Sequence, residues 1–189
     1  IITCVVCYFV DFVLYHLGFE IQGMTLNEIF GLVPAKAAKG WVWQFFTYIF
    51  MHGHPLHLLL NMLILWYFGA EMELKMGQKA FLKYFLLCGV GAGLFNFAVN
   101  CLFSDVTRLT NPIIGSSGAI FGILAAYGIF FGNRYFLVFF LFPMKAKYFV
   151  LLMGLLAFYA SIAERSDIAN VTHLGGIIVA YLYLRSGRL

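Results

Sequence analysis

A serine, two histidines and an asparagine stand in apolar stretches where polar side chains are costly. Ser117 lies in Gly115-Ser116-Ser117-Gly118, and His173 is followed by Gly175 and Gly176. His57 and Asn61 are four residues apart, so they share one helical face a turn apart. Polar groups in hydrocarbon cost several kcal/mol unless paired, and such clusters point to function. Each cluster has an ordinary explanation when taken alone. A membrane serine commonly bonds back to its own helix, and the spacing of Gly118 and Gly122 marks close helix packing. Together, however, they supply a nucleophile, a base and two hydrogen-bond donors on three separate apolar runs, which packing does not require.

A serine hydroxyl is a weak nucleophile and needs a neutral imidazole within hydrogen-bond reach to take its proton. Glycines beside the serine would let a helix carrying His173 come that close. The tetrahedral oxyanion of acyl transfer needs preorganised donors. The Asn61 amide, the His57 ring and a backbone N–H at a helix start meet that need. Ser116 competes with Ser117 for the nucleophile's role. Asp11 is the only carboxylate within a terminal apolar run and lies far from the other clusters, so a Ser-His dyad is expected rather than a triad.

These residues must be positioned by something built for lipid. Of 189 residues, 63% are hydrophobic and 11% charged, against about half and a quarter in a soluble domain. The runs Ile1 to Leu17, Pro55 to Met72, Ala80 to Phe103, Pro112 to Gly132, Tyr148 to Ala163 and Ala169 to Leu184 predict six transmembrane helices. The fold class expected is therefore all-α, a polytopic bundle. It forms one domain over residues 1–189, with a long structured first loop from Gly18 to His54. Tyr135 to Met144 is too short to span and is expected to return along the interface. The chain starts at Ile1 inside an apolar run, so residues upstream are expected to be missing.

Six spans put both ends on one side, with Lys75, Lys79, Lys83, Arg134, Lys145, Lys147, Arg185 and Arg188. The other side receives Lys36, Lys39, Arg108 and Arg165, together with Glu20, Glu28, Asp105, Glu164 and Asp167. The excess of positive charge places both termini in the cytoplasm.

The three motifs resemble those of the rhomboid intramembrane proteases: HxxxN at His57 and Asn61, GxSG at Gly115 to Gly118, and HxxG at His173 to Gly176. The resemblance extends to Trp43, Met51-His52, Glu73 to Gly77 and Asn170. It implies that Ser117 rather than Ser116 is the nucleophile, that His173 is the general base, and that His57 and Asn61 bind the oxyanion and substrate. It also implies a serine endopeptidase in a bacterial inner membrane, cutting single-span membrane proteins near the outer face. An inactive relative that binds membrane clients is the alternative, but such relatives lack the serine or histidine. Four positions depart from the usual pattern: Gln44 stands in place of Arg, Phe121 of Tyr, Thr172 of Ala and Ala180 of Gly.

Other chemistries fit less well. His52, His54 and His57 have no HExxH glutamate beside them, so no metal is expected. Cys4, Cys7, Cys88 and Cys101 lie in apolar runs and form no paired metal motif. An α/β-hydrolase elbow would need glycine at position 119, which is Ala119. Basic residues are scattered singly, so nucleic acid is not an expected partner. The chain lacks the repeats and paired intramembrane charges of a transporter. No cofactor is expected. The lipid bilayer and single-span proteins are the expected partners.

Overall fold

A computed structural model describes residues 1–103, 109–138, 141–163 and 169–187. The chain enters with α1 (Ile2–His16) and a first loop holding the short helices α2 (Leu26–Phe30), α3 (Pro34–Ala37) and α4 (Gln44–Thr47). A single 3-10 turn (Tyr48–Phe50) leads to α5 (Pro55–Met76) and α6 (Gln78–Phe103). Then come α7 (Ser117–Phe131), a hairpin of β1 (Tyr135–Val138) and β2 (Phe142–Lys145), α8 (Ala146–Ala163) and α9 (Ala169–Arg185). Six helices of 15 to 26 residues thus occupy the six apolar runs. Among the described residues α6 alone is long and apolar enough to cross a membrane unaided, while α4 with its 3-10 turn and α5 qualify only as a pair bent by 93°.

Local chemistry sets the ends. In α5, Pro55 takes the first turn, where a missing N–H costs nothing, and the His54 ring caps it by accepting from the His57 N–H at 3.1 Å. Gly77, at φ 83°, ends the helix and turns the chain into α6. In α2, Thr25 and Glu28 form a reciprocal capping box that gives the loop its own structure. The stretch too short to span forms an antiparallel hairpin, pairing Tyr135 with Lys145 through Val138 with Phe142. The acids and bases at Asp105, Arg108, Glu164, Arg165, Asp167 and Arg188 lie outside the described residues.

The bundle is built around α7, in which every residue from Gly118 to Tyr127 is buried. A helix covered all round belongs at the centre. Helices α6 and α9 lie against it and against each other, and α5 and α8 also pack on it. The outer helices turn large apolar residues outward, among them Phe9 and Phe12 of α1, Leu59, Leu63 and Trp66 of α5, and Tyr181 and Leu182 of α9.

The approach of α7 to α9 depends on missing side chains. A Cβ on Gly176 would run into the carbonyl oxygen of Gly118, and one on Gly118 would come within 2.9 Å of both Ala92 Cβ and Thr172 Cγ2. Because the obstacle at Gly176 is backbone, no rotamer change relieves it. Ala180, one turn on, is fully buried in the same bundle. Gly176→Ala should therefore destabilise the fold by at least about 1–3 kcal/mol, the usual range for overpacking. A melting temperature like that of the wild type would show that the two helices can separate freely.

Candidate active site

Ser117 is the first residue of α7, and His173 lies one turn into α9. The close helix approach brings His173 Nε2 to 2.8 Å from Ser117 Oγ, within the range of an O–H donor bonding a ring nitrogen. Phe121, one turn after the serine, stacks on the imidazole with centroids 4.4 Å apart and planes 16° from parallel. The ring that stands in place of the usual tyrosine therefore supports the histidine by its face. Ser116 is oriented elsewhere: it is fully buried, and its hydroxyl lies 3.4 Å from His52 Nε2. The imidazole of α9 thus meets Ser117 and not its neighbour.

The loop before α7 brings the second cluster to the same place. Gly115 has φ +119°, a conformation open to glycine, and a Cβ there would lie 2.8 Å from the His57 ring and 3.8 Å from Asn61 Nδ2. His57 and Asn61 therefore flank the backbone two residues before Ser117. Asn61 is 6% exposed, yet its Nδ2 has no hydrogen-bond partner among the described residues. Leaving a buried N–H unpaired costs about 1–3 kcal/mol, so such a donor is suited to an acceptor that arrives later. All four residues singled out in the sequence, Ser117, His173, His57 and Asn61, converge on the N-terminal end of α7.

Several supports were not legible as such. Leu32 and Ile113 exchange two backbone hydrogen bonds of 2.8 Å, fastening the first loop to the loop before the serine. Tyr48 accepts the Gly115 N–H at 2.9 Å through its carbonyl, while its hydroxyl donates to Gly89 O at 2.6 Å. Gln44, read as a departure, is fully buried, and its Oε1 accepts the Val33 N–H at 3.1 Å. Its Nε2 donates to the carbonyls of Glu28 and Ile29, each at 3.2 Å. It pins the loop as a neutral fork. Trp43 donates to the Ile29 carbonyl at 3.1 Å. Among the described residues, no group of three His, Cys, Asp or Glu is placed to hold a metal, and His54 is engaged in capping α5.

His52 sits in the bend before α5. Its Nδ1 lies 3.2 Å from the Phe50 carbonyl, to which it donates, leaving Nε2 to accept from Ser116. Burial, assisted by the neighbouring His57 ring, pushes its pKa down from 6.5 to about 4. As pH falls from 6.5 to about 4, the unfolded chain takes up this proton while the folded chain does not, so stability declines across that window. Melting temperature should fall with pH over this range, and His52→Gln should flatten the slope. An unchanged slope would remove His52 from the acid response.

Comparison with known proteins gives the family. The description of the Rhomboid domain matches residues 39–187. The chain is 32% identical over 165 residues to rhomboid protease GluP of Bacillus subtilis, covering 84% of this chain and 30% of that protein. It is 28% identical over 162 residues to RHOMBOID-like protein 4 of Arabidopsis thaliana, covering 85% of this chain and 38% of that one. Against rhomboid protease AarA of Providencia stuartii the identity is 27% over 155 residues, with 74% and 54% covered. The chain spans well under two thirds of the length of each of these relatives. With most of its length matched by the family's description, the chain belongs to the rhomboid family, integral membrane proteins that include serine intramembrane proteases.

Proposed function

We propose that this chain is an intramembrane serine endopeptidase working by a Ser117-His173 dyad. The observation that carries the reading is the 2.8 Å contact between Ser117 Oγ and His173 Nε2 at the start of a buried helix. In this reading Ser117 Oγ attacks the scissile carbonyl carbon while His173 Nε2 takes the hydroxyl proton. Negative charge collects on the carbonyl oxygen and is met by the Asn61 amide, the His57 ring and the Ser117 backbone N–H. The C–N bond then breaks, the leaving amine takes the proton from His173, and water frees the acyl group by the reverse path.

Six spans in one domain over residues 1–189, with both ends in the cytoplasm, accommodate this chemistry. Lys75, Lys79, Lys83, Arg134, Lys145 and Lys147 then share the cytoplasmic side with the hairpin. The serine lies at the outer end of the fourth span, open to water from outside. Single-span membrane proteins are the substrate class that fits. Their carbonyls are hydrogen-bonded within a helix, so a scissile segment must unwind, which favours helix-breaking residues near the outer third. The residues resemble those of a bacterial inner-membrane enzyme.

Cleavage of a single-span model substrate in detergent tests the proposal. Ser117→Ala and His173→Ala should each abolish cleavage in protein that still folds, while Ser116→Ala should not. The reverse pattern for the two serines would overturn the assignment. Asn61→Ala should lower turnover by roughly 10²-fold, the usual loss for one oxyanion donor, with KM nearly unchanged. A lower melting temperature with intact turnover would make Asn61 a packing residue only.

A further inference from the structure

Three polar residues unused by the dyad lie buried between α6 and α9. Asn96 and Asn100 of α6 are 0% and 2% exposed, and Thr172 of α9 is 2% exposed. Asn100 Nδ2 donates to both the backbone carbonyl and the Oδ1 of Asn96, at 2.9 and 2.6 Å. With Oδ1 engaged as acceptor, the Asn96 NH₂ is aimed away from Asn100, and it donates to Thr172 Oγ1 at 2.8 Å. The bond thus has a fixed direction, running from Asn100 through Asn96 to the residue immediately before His173.

Thr172 has a second contact. Its Cγ2 would meet a Cβ on Gly118 at 2.9 Å, so its methyl faces the residue immediately after Ser117. One side chain is therefore held by its hydroxyl to α6 and fills space against α7 with its methyl. Lower on the same interface, a Cβ on Gly175 would meet Phe95 at 2.8 Å and one on Gly91 would meet Val179 at 2.7 Å. Those apolar contacts set how near α9 comes to α6. They do not fix its rotation as a directional hydrogen bond does, because dispersion contacts tolerate sliding. Successive helical residues are about 100° apart, so pinning Thr172 also fixes the direction of His173.

We propose that Asn96 and Thr172, braced by Asn100, are positioning residues for the base: their hydrogen bond sets the rotation of α9 and thereby the seat of His173 against Ser117. The inference rests on the dyad reading above. Their hydrogen bond lies one residue from the imidazole, so they act on the chemistry through its placement.

The test separates positioning from packing. Thr172→Val keeps the side chain's shape and removes its acceptor; Thr172→Ser keeps the acceptor and removes the methyl. Turnover and KM for the single-span substrate, melting temperature, and the rate of Ser117 labelling by a fluorophosphonate are measured on each. Thr172→Val and Asn96→Leu should lower kcat and labelling roughly 10- to 100-fold, the scale of a small misplacement, with KM little changed. Thr172→Ser should retain most of the turnover. The double substitution Asn96→Leu with Thr172→Val should be no slower than the worse single, because the bond can be lost only once. It also serves where Thr172→Val alone leaves too little folded protein, since it removes the Asn96 amide as well. Wild-type kcat in Thr172→Val, or in the double substitution, would overturn the proposal. So would a drop in melting temperature with unchanged kcat and labelling. Cleavage surviving in Ser117→Ala would instead refute the dyad itself, and this inference with it.

Discussion

Everything at the candidate site depends on how closely two helices can pack. The backbone of Gly118 and that of Gly176 touch across the α7–α9 interface, where a single methyl would collide with a carbonyl. Only at that separation does an imidazole on α9 come within 2.8 Å of a hydroxyl on α7. The central helix is buried from Gly118 to Tyr127, so this part cannot move outward to compensate for a bulkier neighbour. The glycines are thus part of the chemistry although they contribute no reactive group.

Around that contact, polar groups are paired in a way that fixes orientation. Gln44 bonds to three backbone groups of the first loop, and Tyr48 joins the same loop to both α6 and the segment before Ser117. Far from the serine, Glu71 of α5 accepts from Tyr127 of α7 at 3.1 Å and from Arg134 at 3.0 Å, tying the other end of the central helix. The Glu71–Arg134 pair is exposed, whereas Gln44 and Tyr48 are buried, and buried polar groups are costly when a partner is lost. The Asn61 amide is held ready at the site, a buried donor without a hydrogen-bond partner among the described residues.

Much of this was legible in the sequence because it is local. The spacing of His57 and Asn61 predicts a shared face, and the glycines around Ser117 and after His173 predict close approach; the geometry follows both. The helical runs fall where the apolar stretches lie, and α5 extends four residues beyond the expected Met72 to Met76. What escaped depends on partners distant in the chain. The apolar run predicts a fourth helix from Pro112, but helix begins only at Ser117, since Ile113 pairs with Leu32 and Gly115 bonds to Tyr48. Likewise Asn96 and Asn100 stand four residues apart in an apolar run. Their i, i+4 spacing was the same signal that marked His57 and Asn61, but the partner, Thr172, lies 76 residues away. The stretch from Tyr135 is too short for a span, and nothing in its apolar composition marks the strand pairing it forms.

The paired bonds between Leu32 and Ile113 have a consequence for what a substrate must contribute. A flexible loop beside Ser117 would have to be ordered each time a peptide bound, and that loss of freedom would be charged against every encounter. Here the first loop and the segment before α7 are already joined as a two-residue scrap of β-sheet, so their disorder was removed when the chain folded. If the chain cleaves membrane helices as proposed, an incoming strand would meet a wall with its shape already set, and selection would fall on what the substrate can do: those whose own helix frays easily would enter, and those whose helix holds would pass by.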